Sequence, residues 1–214
     1  IICLAGGLLG TNTYIIPLEF NTCFVVDPSS PADRIAKQIK DMGMELSSIV
    51  LTHGHYDHME SLCSLKSNFP HALVYIHEED SWALGSDSLE KHRKSFEESG
   101  LGDLYSEFYD ADNAQILPEA DFFLSEKLDF HKDWTVFHSP GHSPGSVCLY
   151  NEKDKLLISG DTLFYMGWGR TDLAGGDETK LMQSLKRLSL LPSDVQVFPG
   201  HGKYGFTMAE NPIM

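Results

Sequence analysis

Three histidines and an aspartate fall between positions 53 and 58, as His53, His55, Asp57 and His58 in the run Thr52-His53-Gly54-His55-Tyr56-Asp57-His58. Side chains of this kind are costly to bury unless paired. The common partner for clustered imidazole and carboxylate is a metal ion. Three more segments place a similar residue beside a glycine: Pro140-Gly141-His142, Ser159-Gly160-Asp161 and Pro199-Gly200-His201. Glycine lets the backbone turn tightly and approach an ion. Together these segments offer seven candidate ligands: His53, His55, Asp57, His58, His142, Asp161 and His201. That is too many for one tetrahedral ion and suits two ions sharing a carboxylate and a water. His53 and His55 lie two apart in an extended stretch, so both can face one ion. Asp57 and His58 open the next helix and point at a second. Water between two cations loses a proton near neutral pH and becomes a nucleophile without a protein base.

The elements that position these residues are readable from periodicity. Thr13 to Leu18 and Thr22 to Asp27 form a hairpin joined by Glu19-Phe20-Asn21. Ile35, Ile39 and Met42 mark a helix over 32–42, and Ser48 to Leu51 is a buried strand that delivers the histidine cluster. Residues 58–66 read as helix, 73–77 as a buried strand, 78–110 as helical pieces leaving the sheet, and 122–138 as two or three strands. The first pattern then recurs. Residues 146–150 and 156–161 make a second hairpin, a helix follows at about 177–190, and a strand at 195–198 runs into His201. Two similar β-rich halves with helices outside predict an α/β protein, a four-layer α/β/β/α sandwich with its site between sheet edges. No Pro/Ser-rich linker divides the chain, so residues 1–214 are read as one domain.

Composition limits the rest. The chain has 214 residues, 42% hydrophobic and 22% charged, with a net charge of −15. These are ordinary values for a globular protein, and the acidity argues against nucleic acid as a partner. No apolar run is long enough to span a membrane, and no secretory signal is visible. Cys3, Cys23, Cys63 and Cys148 are spread without pairing motifs, which predicts buried free thiols and a cytoplasmic location. The expected partner is a small-molecule substrate, and the expected state a monomer or homodimer. The chain opens on Ile1 rather than Met, so its true start is expected upstream.

Other candidates carry less chemistry. His71, His77, His92, His131 and His138 read as ordinary hydrogen-bonded histidines. Asp27 ends a strand before Pro28 and reads as turn chemistry. The loop Gly167-Trp168-Gly169-Arg170-Thr171-Asp172-Leu173, with Gly175-Gly176-Asp177, follows Asp161 and belongs near the metals. Arg170 can hold a substrate carboxylate in bidentate fashion or pair with Asp172 to shape the loop. Asp177 reads as a helix N-cap. Tyr56 and Tyr165 are candidates to line the pocket.

The ordered set His53-x-His55-x-Asp57-His58, His142, Asp161 and His201 resembles the metallo-β-lactamase superfamily over nearly the whole chain. Asp161 separates it from β-lactamases that carry Cys at that segment. The Gly-Arg-Thr-Asp-Leu loop is similar to the glyoxalase II-like (hydroxyacylglutathione hydrolase-like) branch. That resemblance implies the metallo-β-lactamase fold and two divalent ions per chain, zinc first, with iron or manganese tolerated. It implies His53, His55 and His142 at one ion, Asp57, His58 and His201 at the other, and Asp161 bridging. It also implies hydrolysis of a thioester, of a 2-hydroxyacyl group such as lactoyl, through attack by bridging hydroxide. Asp57 and Asp161 would then be catalytic and Lys203 a remnant of the substrate grip, while Arg170 and Tyr165 are substrate-binding candidates from the residues themselves. Full glyoxalase II enzymes continue into a helical domain that grips glutathione, whereas only residues 202–214 follow His201 here, so the chain resembles a short form. Two rivals share the ligand set: a mononuclear iron persulfide dioxygenase and a lactone hydrolase. A metal-carrying or interaction module without activity is a third.

Overall fold

Alternation of apolar side chains along the strands decides how the layers stack. The computed structural model describes residues 1–108, 115–127 and 131–213. A first sheet has six strands in chain order: β1 (Ile2–Gly6), β2 (Thr11–Pro17), β3 (Thr22–Val26), β4 (Glu45–Val50), β5 (Leu73–His77) and β6 (Phe122–Leu124). The β1-β2-β3 meander is antiparallel, and β3 to β6 are parallel. The second sheet contains β7 (Trp134–His138), β8 (Val147–Asn151) and β9 (Leu156–Gly160). A short hairpin, β10 (Leu163–Phe164) with β11 (Gly167–Trp168), stands apart, and β12 (Gln196–Pro199) and β13 (Phe206–Thr207) complete the second sheet in the order β13-β12-β9-β8-β7. Helices are α1 (Ala32–Asp41), α2 (Leu62–Asn68), α3 (Ser88–Glu98), α4 (Gly102–Phe108) and α5 (Glu178–Leu188).

In β3, Cys23 and Val25 pack outward with Ile35 and Ile39 of α1, and Phe24 and Val26 pack inward. The inward face meets Val147 and Leu149 of β8, Trp134, Val136 and Ile158. Cys148 and Tyr150 of β8 point the other way, against Leu181, Leu185 and Leu188 of α5. Three apolar seams therefore separate four layers, α/β/β/α, as the repeat predicts. This is the layering that the family resemblance implies. Both faces of each central strand are buried, the condition under which parallel strands read as continuous apolar runs.

The expected elements lie close to where periodicity puts them. The helix expected at 58–66 is shifted: Tyr56–His58 is a single 3-10 turn, and α2 starts at Leu62. The excursion at 78–108 is a 3-10 turn at Glu78–Ala83 followed by α3 and α4; residues 109–110 and 128–130 of the expected segments lie outside the described residues. All four cysteines are free, but only Cys23 and Cys148 are buried, while Cys3 and Cys63 are partly exposed. No described helix is long and apolar enough to cross a membrane.

Candidate metal centre and cleft

The parallel strand β4 ends at Val50, and the next eight residues cross the edges of both sheets. Thr52 anchors that crossing. Its backbone N–H and its hydroxyl both donate to the Asp27 carboxylate, at 2.8 and 2.7 Å, and its carbonyl accepts from Val147 of the second sheet. His53 Nε2 then lies 3.1 Å from His55 Nδ1, and His55 Nδ1 lies 2.9 Å from His142 Nε2. On the other side, His201 Nε2 is 3.2 Å from Asp57 Oδ2 and 3.3 Å from His58 Nε2. Asp161 stands between the two groups. Its Oδ2 is 3.6 Å from His142 Nε2 and 3.5 Å from His201 Nε2, and its Oδ1 is 3.4 Å from His58 Nε2. All seven sequence-expected ligands thus converge, and the groups close enough to hold one ion include His53, His55 and His142; His53, His58 and Asp161; and Asp57, His58 and His201.

The electrostatics favour cations. Burial holds the His53 imidazole well below its ordinary range, with His58 and His55 adding to the effect, and pushes His55 down to about 3. Both are therefore neutral, the form that binds metal. Burial opposes the charge on Asp57 and Asp161, yet His58 and His201 nearby hold both carboxyls below the usual range. Burial also opposes a proton on His58, but Asp161, Asp57 and Asp27 outweigh it and raise that imidazole well above normal. The same field attracts a divalent ion.

Among the described residues, one buried side-chain oxygen or nitrogen lacks any hydrogen-bond partner, and it is Asp161 Oδ1. Native structures rarely leave such an atom orphaned unless an ion or water takes it. The backbone leaves room there as well: a Cβ on Gly200 would lie 2.1 Å from Asp161 Oδ1 and 2.7 Å from His58 Cε1. Donor set, orphaned oxygen and glycine cradle all fit a metal centre.

The side chains behind the ligands fix their rings. Asp27 also accepts from His58 Nδ1 at 2.8 Å. Its backbone sits at φ +50, a left-handed conformation that is uncommon outside glycine and that aspartate adopts more readily than most residues. Reading Asp27 as turn chemistry alone is therefore corrected, because its carboxylate orients a ligand. His142 Nδ1 is 2.8 Å from the Arg170 carbonyl. Asp80 was not singled out by sequence. It is buried and accepts from Gly54 N and Gly145 N, each at 2.8 Å, and from Ser143 Oγ at 2.5 Å, tying the His53 loop to the His142 loop. Nothing in the run Glu78-Glu79-Asp80 separates it from its neighbours, because its partners are distant in sequence. Across the interface, the Asn12 N–H donates to the Gly200 carbonyl, and Tyr14 Oη donates to the Pro199 carbonyl at 2.6 Å, so β2 steadies the His201 loop.

The centre floors a cleft of about 550 Å³, with Tyr56, Trp82, Phe96, Leu101, Leu104, Phe164, Trp168 and Leu173 among its walls. Arg170 lies at this cleft, but its guanidinium is bidentate to Asp172 at 2.7 and 2.6 Å. Of the two roles open to Arg170, the structure shows the loop pair. Tyr165 and Lys203 are not brought to the cleft: the Lys203 ammonium sits 3.8 Å from the Tyr165 ring centroid, and Tyr165 packs on Phe206. The remaining histidines are mostly hydrogen-bonded as expected: His92 Nε2 to the Ala83 carbonyl, His131 to Ser48, His138 to the Pro144 carbonyl, and His77 accepting from Glu79 N. His77 and His138 also stack, 4.1 Å apart and 10° from parallel.

Residues 6–201 match the metallo-beta-lactamase superfamily, and the chain belongs to it. It is 36% identical over 212 residues to a probable metallo-hydrolase, YqgX, of Bacillus subtilis, covering 97% of this chain and 94% of that one. It is 30% identical over 195 residues to the hydroxyacylglutathione hydrolase GloC of Haemophilus influenzae, covering 89% and 86%. Among solved structures, BLEG-1, a B3 metallo-beta-lactamase, superposes with a TM-score of 0.81 at 30% identity, covering 99% of this chain and 97% of that one. TTHA1623 in a di-iron-bound form gives 0.78 at 28% identity, with full coverage of both chains. The chain is thus a metallo-hydrolase of this superfamily, with His and Asp clusters suited to divalent metal.

Proposed function

We propose that this chain is a binuclear metal-dependent thioester hydrolase of the glyoxalase II-like branch. The observation that carries the binuclear part is Asp161, whose carboxylate reaches both ligand groups while one oxygen has no hydrogen-bond partner. His53, His55 and His142 would hold one ion, and Asp57, His58 and His201 the second, with Asp161 shared. Zinc is the first expectation. The di-iron form of TTHA1623 keeps iron in view. When bound, such ions lower the pKa of a coordinated water and polarise the scissile carbonyl.

The chain's own residues supply orientation. Asp27 holds the Nδ1 side of His58, the Arg170 carbonyl holds the Nδ1 side of His142, and Asp80 fixes the loops that carry His55 and His142. The walls supply little acid. Burial pushes the Tyr56 phenol up to about 12 and His92 down to about 4, so neither is an effective proton donor near neutrality. That suits a leaving group that departs unprotonated. A thiol has a pKa near ~8.5 and leaves as the thiolate, whereas an amine or alkoxide needs an acid. The likeness to GloC, named a hydroxyacylglutathione hydrolase, points the same way, and 2-hydroxyacyl groups such as lactoyl are the first acyl groups to test.

The deciding experiment is metal content by mass spectrometry alongside a substrate panel. Two metals per chain with turnover of S-lactoyl thioesters is the expected result. A single iron with oxygen uptake on a persulfide would replace this reading with the dioxygenase. Preferential opening of an acyl-homoserine lactone or a β-lactam would replace it with a ring hydrolase.

A further inference from the structure

We infer that the acyl group this site accepts is apolar and larger than lactoyl, and that its thiol carrier is recognised without charge. The inference rests on the thioester reading above and adds what fills the cleft.

One wall is the excursion between β5 and β6, which contributes Trp82, Phe96, Leu101 and Leu104; the other is the loop after Asp161, with Trp168 and Leu173. The two walls are joined by a hydrogen bond from Ala174 N to Ser99 Oγ at 3.0 Å, so the cleft is bounded on both sides of the metal floor. At its mouth, Leu9 and Trp168 leave 50% and 45% of their surface exposed. Large apolar side chains exposed together beside a cavity mark a surface that an apolar ligand covers.

Charge narrows the ligand further. Among the described residues lining the cleft, Arg170 is the only lysine or arginine, and its guanidinium is paired with the exposed Asp172. Lys203, expected on the substrate, lies on Tyr165 outside the lining. The chain as a whole carries −15. A carrier with free carboxylates, such as glutathione, therefore meets no unpaired lysine or arginine among the described lining residues, and recognition of the carrier falls mainly to the apolar walls. A cleft of about 550 Å³ walled by these apolar side chains has room for an acyl chain longer than lactoyl beside its carrier.

The test uses the full metal-loaded chain. Thioesters of N-acetylcysteamine with acetyl, butanoyl, hexanoyl and octanoyl groups are compared by kcat/KM, and lactoyl is compared on N-acetylcysteamine and on glutathione. Burying each methylene predicts a rise of up to roughly fourfold per carbon, so octanoyl should exceed acetyl by about tenfold or more even with partial burial. The change of carrier should alter kcat/KM less than threefold. In Leu173→Asp the chain-length series should flatten. A flat or falling series in the wild type, or a tenfold gain from glutathione, overturns the inference. Trp82 and Trp168 give a readout independent of turnover, because their fluorescence reports free carboxylic acids entering the cleft. Octanoate binding tenfold tighter than butanoate, with no thioester hydrolysed, would sink the thioester reading and keep the apolar ligand. Thioester turnover with no such difference in binding would keep the reaction and remove the inference.

Discussion

Asp27 and Asp161 occupy matching places in the two halves of the molecule. Each ends the second strand of a hairpin, β3 or β9, beside a parallel strand that runs to the metal centre. Each is approached through one left-handed backbone position, Asp27 itself at φ +50 and Gly160 at φ +49. Their partners differ. Asp27 accepts from the Thr52 N–H, the Thr52 hydroxyl and His58, so the protein satisfies it completely. Asp161 faces only histidines at 3.4–3.6 Å and keeps one oxygen unpartnered. One half uses its aspartate to hold His58, and the other leaves its aspartate open to a cation. A carboxylate becomes available to metal when the fold withholds its donors.

Breaking the open member should cost the most activity. Asp161→Ala is expected to lose at least one metal and to lower kcat by a factor of ~10³ or more. Metal stoichiometry with steady-state kinetics checks this, and an Asp161→Ala chain that keeps both metals and its rate would refute the bridging role. Breaking the satisfied member should cost mainly stability. Asp27→Ala strands three buried donors and is expected to lose about 2–4 kcal/mol in urea unfolding. Metal affinity should fall 10–100-fold as His58 loses its anchor. In metal-free protein Asp161→Ala should cost less stability than Asp27→Ala. The reverse order would collapse the distinction between them.

The halves also differ in that the first carries the excursion at 78–108, where His92 is buried with its pKa lowered to about 4. An unfolded histidine titrates near 6.5. The folded state therefore refuses a proton that the unfolded state accepts as pH falls. Stability owed to neutral His92 is complete above pH 6.5 and lost progressively down to pH 4, by up to about 3 kcal/mol. His92→Gln, which keeps a donor for the Ala83 carbonyl, should lessen that acid loss relative to the wild type in unfolding measured from pH 7 to 4. An unchanged acid limb would show that the excursion unfolds without exposing His92. The smallest effect is expected at Arg170→Ala. Its carbonyl orients His142, but its side chain bonds only exposed Asp172 among the described contacts, so kcat/KM should change less than threefold. A tenfold loss would restore the substrate-carboxylate role.

Much of the centre was legible from residue types alone. The ligand residues stand at strand ends beside glycines, and a cluster as dense as His53 to His58 has few chemical uses besides metal. Strands and helices were legible because β3, β8, α1 and α5 each carry a clear apolar period. Asp27 was misread because its carboxylate meets Thr52 and His58 only when β3 pairs with β4, Val26 opposite Val50. Asp80 was missed because its donors, Gly54, Ser143 and Gly145, lie 26 to 65 positions away. Tyr165 was a candidate to line the pocket and Lys203 a candidate on the substrate, yet the Lys203 ammonium sits on the Tyr165 ring.

Local spacing by itself therefore pointed to metal chemistry and to the four layers, since these depend on turns and periods a few residues long. Tertiary structure decided which aspartate stays open to metal, where the Arg170 guanidinium goes, and that the cleft walls are apolar. Those outcomes depend on which donors and side chains the folded sheets bring within a few ångströms, and residues far apart in the chain supply them.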